Sequence, residues 1–315
     1  GRTPQMREIY KTIGMLSRSK TTVLVRGESG TGKELVARAI HYNSDNRQEP
    51  FVAINCTALA EGLLESELFG HIRGAFTGAV RDSRGKIEVA GNGTLCLDEI
   101  GDISPSLQVK LLRVVENREF SRVGSEKLQR TDARIIGATN RDLEDAVRRG
   151  KFREDLYYRL KVVEIKIPPL RERKQDVPAL AAYLLEKINR RLHTNVRKVP
   201  DSAMQILMNY NWRGNVRELE NALTRAVTLC RGDVLAAEYL PLTAPEKGQI
   251  SRELMSLKDM EKQYIDQVLR HTRWNKSRAS EILGITRPTL DKKIKDYELV
   301  DPRKAEAEEA LNGEI

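Results

Sequence analysis

Thr22-Val23-Leu24-Val25-Arg26-Gly27-Glu28-Ser29-Gly30-Thr31-Gly32-Lys33-Glu34 is the stretch on which the fold turns. Its apolar, β-branched opening predicts a strand at 22–26, and the apolar period that follows predicts a helix over Lys33–Tyr42. A glycine-rich turn between a strand and a helix N-terminus is the setting of a phosphate-binding loop. The glycines let backbone N–H groups curl around phosphate oxygens, and the helix terminus adds partial positive charge. Lys33 would place a full charge on the β- and γ-phosphates. The next position usually carries Ser or Thr, whose hydroxyl ligates Mg²⁺; here it is Glu34, so the direct magnesium ligand is left open. Taken alone, the stretch also fits a glycine-rich turn with no ligand.

A second apolar run, Leu95-Cys96-Leu97, ends in Asp98-Glu99. Adjacent carboxylates by themselves mean a solvated turn. At a strand end downstream of a phosphate loop they point to hydrolysis rather than mere binding. Asp98 would hold Mg²⁺ through water, since that ion keeps several waters and accepts few carboxylates. Glu99 would orient and deprotonate the attacking water. Further strands are expected at Phe51–Asn55, Thr94–Asp98, 134–138 and 162–167, with helices at Pro105–Asn117 and 143–149 between them. This alternation predicts an α/β fold: a parallel five-stranded sheet with helices on both faces and strand C-terminal ends along one ligand-binding edge. Pro168-Pro169 closes the pattern. Helices are then expected at 177–191, 201–208 and 216–229, with no good strand. The composition of Ala244-Pro245-Glu246-Lys247-Gly248 is that of a linker, followed by a helix at Leu257–His271 and two shorter ones. The expected divisions are an α/β subdomain at 1–168, a helical subdomain at 169–243, a linker at 244–255, a C-terminal all-α domain at 256–300 and a flexible tail at 301–315.

At 315 residues the chain has room for two or three domains. Hydrophobic residues at 40% and charged residues at 31% suit a globular protein, and no apolar run approaches the roughly 20 residues of a membrane span. No secretory signal precedes the first domain, and the chain starts without Met. Cys56, Cys96 and Cys230 are odd in number and too far apart for a disulfide framework or a zinc site, and Cys56 and Cys96, in apolar strand-like runs, are expected as buried structural thiols in a reducing cytosol. The net charge of +9 is local: 271–295 carries seven basic residues against two acidic ones, while the tail is acidic. That distribution suits nucleic-acid binding without proving it.

Gly74-Ala75-Phe76-Thr77-Gly78-Ala79 has neither a helical nor a strand period. It reads as a mobile loop with an aromatic either offered to another molecule or folded back into the core. The string resembles the signature of the sigma-54-dependent transcriptional activators, the NtrC-like branch of the AAA+ ATPases. With the 27–33 loop, in which Glu34 is usual for that family, and the Asp98-Glu99 pair, the resemblance extends over about residues 1–300. It implies an AAA+ P-loop NTPase with an α-helical lid, using ATP and Mg²⁺, in which 74–79 touches sigma-54. The resemblance assigns Asn140 to a polar sensor and Asn55 to the residue that restrains the catalytic glutamate. Strand-end capping is the alternative for both, weaker for Asn140 than for Asn55. Arg153 and Arg159 match arginines that reach the next subunit's nucleotide, where such a finger raises the rate by roughly 10³–10⁵. Six residues apart, they do not stand side by side on a helix, and surface salt bridges with Glu154 or Asp155 are the alternative. Arg217 matches the lid's sensor arginine, and Arg213 stands where the family commonly has Pro. The segment 118–130 resembles a second pore-facing loop that moves with the Phe76 loop, in a switch driven by the γ-phosphate.

Asn275 to Leu290 reads as helix, tight turn, helix: Gly284 ends the first and Thr286 caps the second. Ala279, Ile282, Leu283, Ile285, Leu290 and Ile294 are the expected small core. This helix-turn-helix is similar to the Fis-type domain of many sigma-54 activators, a plain helical interaction module being the alternative. Arg287 and Thr289, joined by Lys293, are candidate base readers, and Lys276, Arg278, Lys292 and Lys295 candidate phosphate contacts. Asp291 is expected to face solvent or a cytosine amine. The resemblance further implies a cytoplasmic bacterial protein of response-regulator type, without membrane contact. It would form a homo-oligomeric ring, hexamer or heptamer, and pair as a dimer through the DNA-binding domain on palindromic double-stranded enhancer DNA. Its partner would be the sigma-54 RNA polymerase holoenzyme. The rival readings are a DNA-bound nucleotide-binding regulator that does not remodel polymerase, and a AAA+ motor with another substrate.

Overall fold

The structure is a computed structural model that describes residues 1–230, 232–240, 257–272 and 274–299. The expected linker, the tail and Arg273 lie outside the described residues. The chain divides into two compact units, Gly1–Ala244 and Pro245–Ile315.

The strands of the first unit are β1 (Val23–Arg26), β2 (Phe51–Asn55), β3 (Gly70–His71), β4 (Ser83–Arg84), β5 (Thr94–Asp98), β6 (Glu119–Ser121), β7 (Leu128–Arg130), β8 (Arg134–Thr139) and β9 (Val163–Lys166). Its helices are α1 (Pro4–Met15), α2 (Lys33–Tyr42), α3 (Glu61–Phe69), α4 (Lys86–Ala90), α5 (Pro105–Asn117), α6 (Leu143–Arg148), α7 (Glu154–Leu160), α8 (Val177–Leu192), α9 (Asp201–Asn209) and α10 (Asn215–Leu229). Five strands form the expected parallel sheet, in the order β2-β5-β8-β1-β9. Its register sets Val23 beside Ile136 and Val163, and Cys96 beside Ala53 and Ile136. The two-residue period of the strands sorts their side chains between two cores. Val23, Val25, Cys96, Ile136 and Ala138 pack under Met6, Ile9, Ile13, Val36 and Ile40 of α1 and α2. Leu24, Leu95, Leu97 and Ile135 face the opposite way, into α3 to α7. α5 starts where Ser104 accepts from the Leu107 N–H, with Pro105 in the first turn, where a missing N–H costs nothing.

Two small antiparallel pairs, β3–β4 and β6–β7, stand apart from the sheet and went unanticipated. Past Pro169, α8, α9 and α10 close around Trp212, which is fully buried and donates from Nε1 to Leu207 O at 2.7 Å.

The second unit is α11 (Leu257–His271), α12 (Lys276–Leu283) and α13 (Arg287–Asp296). Gly284 ends α12 at φ +65°, and Thr286 caps α13. Ile265, Val268, Leu269, Ala279, Leu290 and Tyr297 form its core. Ile282, expected there, is instead 49% exposed. The inward stripe of α12 runs through Ala279, Ser280 and Leu283, and Ile282 lies to one side of it. Ser280 is buried in its place, its hydroxyl donating to Ser277 O at 2.8 Å.

All three cysteines are free, and burial pushes the Cys56 and Cys96 thiols up to about 12, as inert structural thiols require. Among the described residues no helix is long and apolar enough to cross a membrane.

His41 on α2 is fully buried, with Nδ1 at 3.0 Å from Thr94 Oγ1 and Nε2 without a partner. Burial holds its pKa below 6.5 against the opposing pull of the Glu49 backbone, and the nearby Arg134 and Arg38 add to the lowering. The stability that follows from the lowered value is complete above the unfolded pKa and declines as pH falls below it, because the unfolded chain then takes up a proton that the fold refuses. The thermal midpoint of the wild type should therefore drop more steeply below about pH 6.5 than that of His41→Gln. Equal slopes in a thermal-shift titration would remove His41 as the cause.

Candidate functional site

Lys33 opens α2 and is 6% exposed, its Nζ donating to Gly27 O at 3.1 Å and to Glu99 Oε1 at 3.3 Å. Gly30 and Gly32 have φ of +78° and +101°, so the 27–33 backbone curls as a phosphate loop must. Thr31 Oγ1 is turned back onto Glu28 O at 2.8 Å. Glu34 is engaged on the outside of α2 with Arg38, at 2.7 Å.

Asp98 ends β5, and Glu99 follows in the left-handed region at φ +53°, ψ +44°. Such a backbone is uncommon for a residue with a side chain and clusters at functional sites. It delivers the Glu99 carboxylate between two donors, Lys33 Nζ on Oε1 and the Asn140 N–H on Oε2 at 3.2 Å. Asp98 is half-buried, and burial together with neighbouring Glu99 raises its pKa against the opposing pull of Lys33. A carboxylate in that position gains from a cation. Among the described residues no cluster of three His, Cys, Asp or Glu side chains could hold a metal. A hard ion held mainly by water and phosphate oxygens would suit this single half-buried carboxylate. Asn55 lies beside Asp98 in the sheet register, but its carboxamide oxygen is taken by the Thr57 N–H and hydroxyl at 2.8 and 2.7 Å.

The helical lid is fastened directly to the phosphate loop. Asn215, fully buried at φ +55°, donates from Nδ2 to Ser29 O at 2.9 Å and to Glu28 Oε2 at 3.1 Å, while its Oδ1 accepts from the Leu170 N–H at 2.8 Å. The Val216 N–H donates to Gly30 O at 3.0 Å, and Arg217 Nη1 reaches Ser29 Oγ at 3.2 Å. Arg171 grips Glu28 with two bonds, and the buried Arg173 donates to Thr31 O at 3.1 Å. Arg217 was anticipated; Asn215, Arg171 and Arg173 were not, although Asn215 lies in the same Gly214-Asn215-Val216-Arg217 string.

Arg153 and Arg159 are not gathered into this cluster. The Arg153 guanidinium lies on Asp155 at 2.7 Å and that of Arg159 on Glu116 at 2.7 Å, both half-exposed. The Arg153 backbone is anchored to the buried Gln108 at 2.8 Å.

Residues 74–79 form a closed turn in which the Gly74 N–H donates to Ala79 O and the Ala79 N–H to Phe76 O. Phe76 is 44% exposed, with one ring edge on His71 at 4.9 Å, and Thr77 is exposed. The 118–130 segment is bonded to the base of this turn, Ile72 N–H to Val123 O and Val123 N–H to Gly70 O.

In the second unit Arg278, Arg287, Thr289, Lys292 and Lys295 are exposed. Lys276 pairs with Asp291 at 2.6 Å, so Asp291 does not face solvent alone, and Lys293 is drawn onto Glu261 at 2.7 Å.

Fold and site define a AAA+ P-loop protein with a helical lid and a helix-turn-helix unit. A family model described as the sigma-54 interaction domain matches residues 1–166, an AAA+ ATPase lid domain matches 171–256, and the Fis family of bacterial regulatory proteins matches 256–297. The chain is 48% identical over 298 residues to the transcriptional regulatory protein ZraR of Escherichia coli K12, covering 93% of this chain and 67% of that one. It is 48% identical over 295 residues to the Nif-specific regulatory protein of Azotobacter vinelandii, covering 91% and 56%. It is also similar to crystal structures of NtrX from Brucella abortus, with a TM-score of 0.74 at 34% identity over 95% of this chain and 69% of that one. The same NtrX has been crystallised in complex with ADP and with ATP. The chain belongs to the family of sigma-54-dependent transcriptional activators.

Asn215→Ala should remove the bonds to Ser29 O, Glu28 and the Leu170 N–H, lowering unfolding stability by about 2–4 kcal/mol. Asn215→Gly, which relieves only the left-handed backbone, should recover about 1 kcal/mol of that. Chemical denaturation that finds no loss in either variant would show that these bonds do not hold the lid.

Proposed function

We propose that the chain is an ATP-hydrolysing activator that binds enhancer DNA through α12 and α13 and assembles into a ring, hexamer or heptamer. The ring would remodel closed complexes of sigma-54 RNA polymerase holoenzyme into open ones. The observation that carries the hydrolytic part is the Glu99 carboxylate, set between Lys33 and the Asn140 N–H at the mouth of the phosphate loop. When ATP enters, Lys33 exchanges Glu99 for the β- and γ-phosphate oxygens, which frees the carboxylate to act as base. Water is deprotonated by Glu99 as its oxygen bonds to the γ-phosphorus. The bond from that phosphorus to the β,γ-bridging oxygen breaks, leaving ADP and phosphate. Asp98 would hold Mg²⁺, which when bound neutralises charge on the β- and γ-oxygens. Arg153 and Arg159 leave their own carboxylates for a neighbouring subunit's nucleotide, and so act only in a ring.

Arg217 and Asn215 tie the lid to the loop that holds the phosphates, so loss of the γ-phosphate is felt in the lid. The exposed Phe76-Thr77 turn, bonded at its base to 118–130, supports its reading as the output surface toward sigma-54. Arg287 and Thr289 would read bases, with Arg278, Lys292 and Lys295 on phosphate and Lys293 available once released from Glu261.

Turnover per subunit should rise with protein concentration, and a flat profile in a steady-state ATPase assay would remove the trans arginines. On a sigma-54 promoter, Glu99→Ala should lower hydrolysis by at least about 10² and abolish ATP-dependent open complexes. Phe76→Ala should keep hydrolysis and lose open complexes; open-complex yields equal to wild type would end the output role of the loop.

A further inference from the structure

Helix α13 carries two carboxylates among its cations: Asp296 is its last residue, and Asp291 lies mid-helix. Arg287, Asp291 and Lys295 recur every four residues, so they share one stripe of the helix, adjoining the inward Leu290 and Ile294. Asp291 Oδ1 accepts from Nζ of Lys276, the first residue of α12, at 2.6 Å, and both side chains remain about two-fifths exposed, at 41% and 40%. The hydrogen bond from Lys276, with Arg287 and Lys295 nearby, holds the carboxyl below the usual range, so it is ionised and can only accept.

An unpaired carboxylate on a DNA-facing surface would repel its ligand. Paired with Lys276 it adds little net charge, and a directed acceptor is what remains. Of the base edges in the major groove, guanine offers two acceptors and thymine an acceptor and a methyl group. Adenine sets the N7 acceptor beside its amine, which repels a carboxylate, whereas cytosine offers the amine donor N4. We infer that Asp291 is a specificity-determining residue of α13, selecting cytosine by accepting from its amine, and that Lys276 is the positioning residue that holds the carboxylate to that task. The inference rests on the DNA-reading part of the proposed function.

The test is binding-site selection by the full chain from a randomised duplex library, comparing wild type, Asp291→Ala and Asp291→Asn. Wild type should enrich cytosine at one position of each half-site. Asp291→Ala should lower that preference about tenfold and leave the other positions intact, while Asp291→Asn should shift it to adenine, whose N6 and N7 match an amide. Lys276→Met should blur the same position, and Lys276→Arg should preserve it. Identical motifs from all variants overturn the inference, as does an Asp291→Ala gain in affinity shared equally by every sequence. A wild type that enriches no sequence overturns the DNA-reading proposal itself, and the inference with it.

Discussion

Gly30 has no side chain, and the lid's backbone lies where one would be: a methyl group there would overlap Gly214 O and crowd Arg217 Cβ. The bonds from the 214–217 turn to the nucleotide loop depend on that approach. Only with Gly214 against the loop can the Val216 N–H reach Gly30 O and Asn215 reach Ser29 O. Asn215 is suited to the position because a short amide tolerates the left-handed backbone and supplies donors and an acceptor together. Its side chain is buried, so each of those bonds replaces a desolvation cost that would otherwise stand. A shift in the phosphate loop cannot leave the lid undisturbed.

The output side is built on a similar constraint. Gly70 and Gly85 press backbone on backbone at the neck of the segment that carries Phe76, with no room for a Cβ on either. Arg122 then joins the 118–130 segment to Glu88 on α4, which also holds Arg84. A narrow neck with a closed turn beyond it presents Phe76 to solvent without asking the core to pack around it. The exposed aromatic is therefore supported from below, and the question left open by its composition, tip or core, has a structural answer.

Periodicity and turn chemistry made the sheet legible before any coordinates. Phe51–Asn55 and Thr94–Asp98 match the observed strands, because the runs are apolar and bounded by polar residues. The phosphate loop and the acidic pair were legible for the same local reason: each is a contiguous string whose chemistry depends on adjacency. Asn215, Arg171 and Arg173 were not, since their meaning arises only when residues more than 140 positions away fold against them. Ile282 was misplaced because an apolar residue in an eight-residue helix offers too few turns to fix which stripe faces inward. The short pairs β3–β4 and β6–β7 escaped because two or three residues carry no period.

The ionic contacts fall into two sets, and their burial separates them. Lys33 with Glu99 lies largely out of solvent, at 6% and 16% exposure; losing one partner there would leave a poorly solvated charge, so the pair persists until another charge takes the partner's place. Arg153 with Asp155, Arg159 with Glu116 and Lys293 with Glu261 lie at the surface, where water and salt compete and a pair contributes little. Of the cations proposed to serve a neighbouring subunit or DNA, Arg153, Arg159 and Lys293 are held by such exposed pairs. Exchanging a solvated carboxylate for a phosphate oxygen in a less solvated site gains interaction at small cost. Surface pairs of this kind do not compete seriously against a ligand. Lys33 follows the same logic in a buried setting, since its exchange becomes favourable only when the incoming phosphates bring more negative charge than the single carboxylate it leaves.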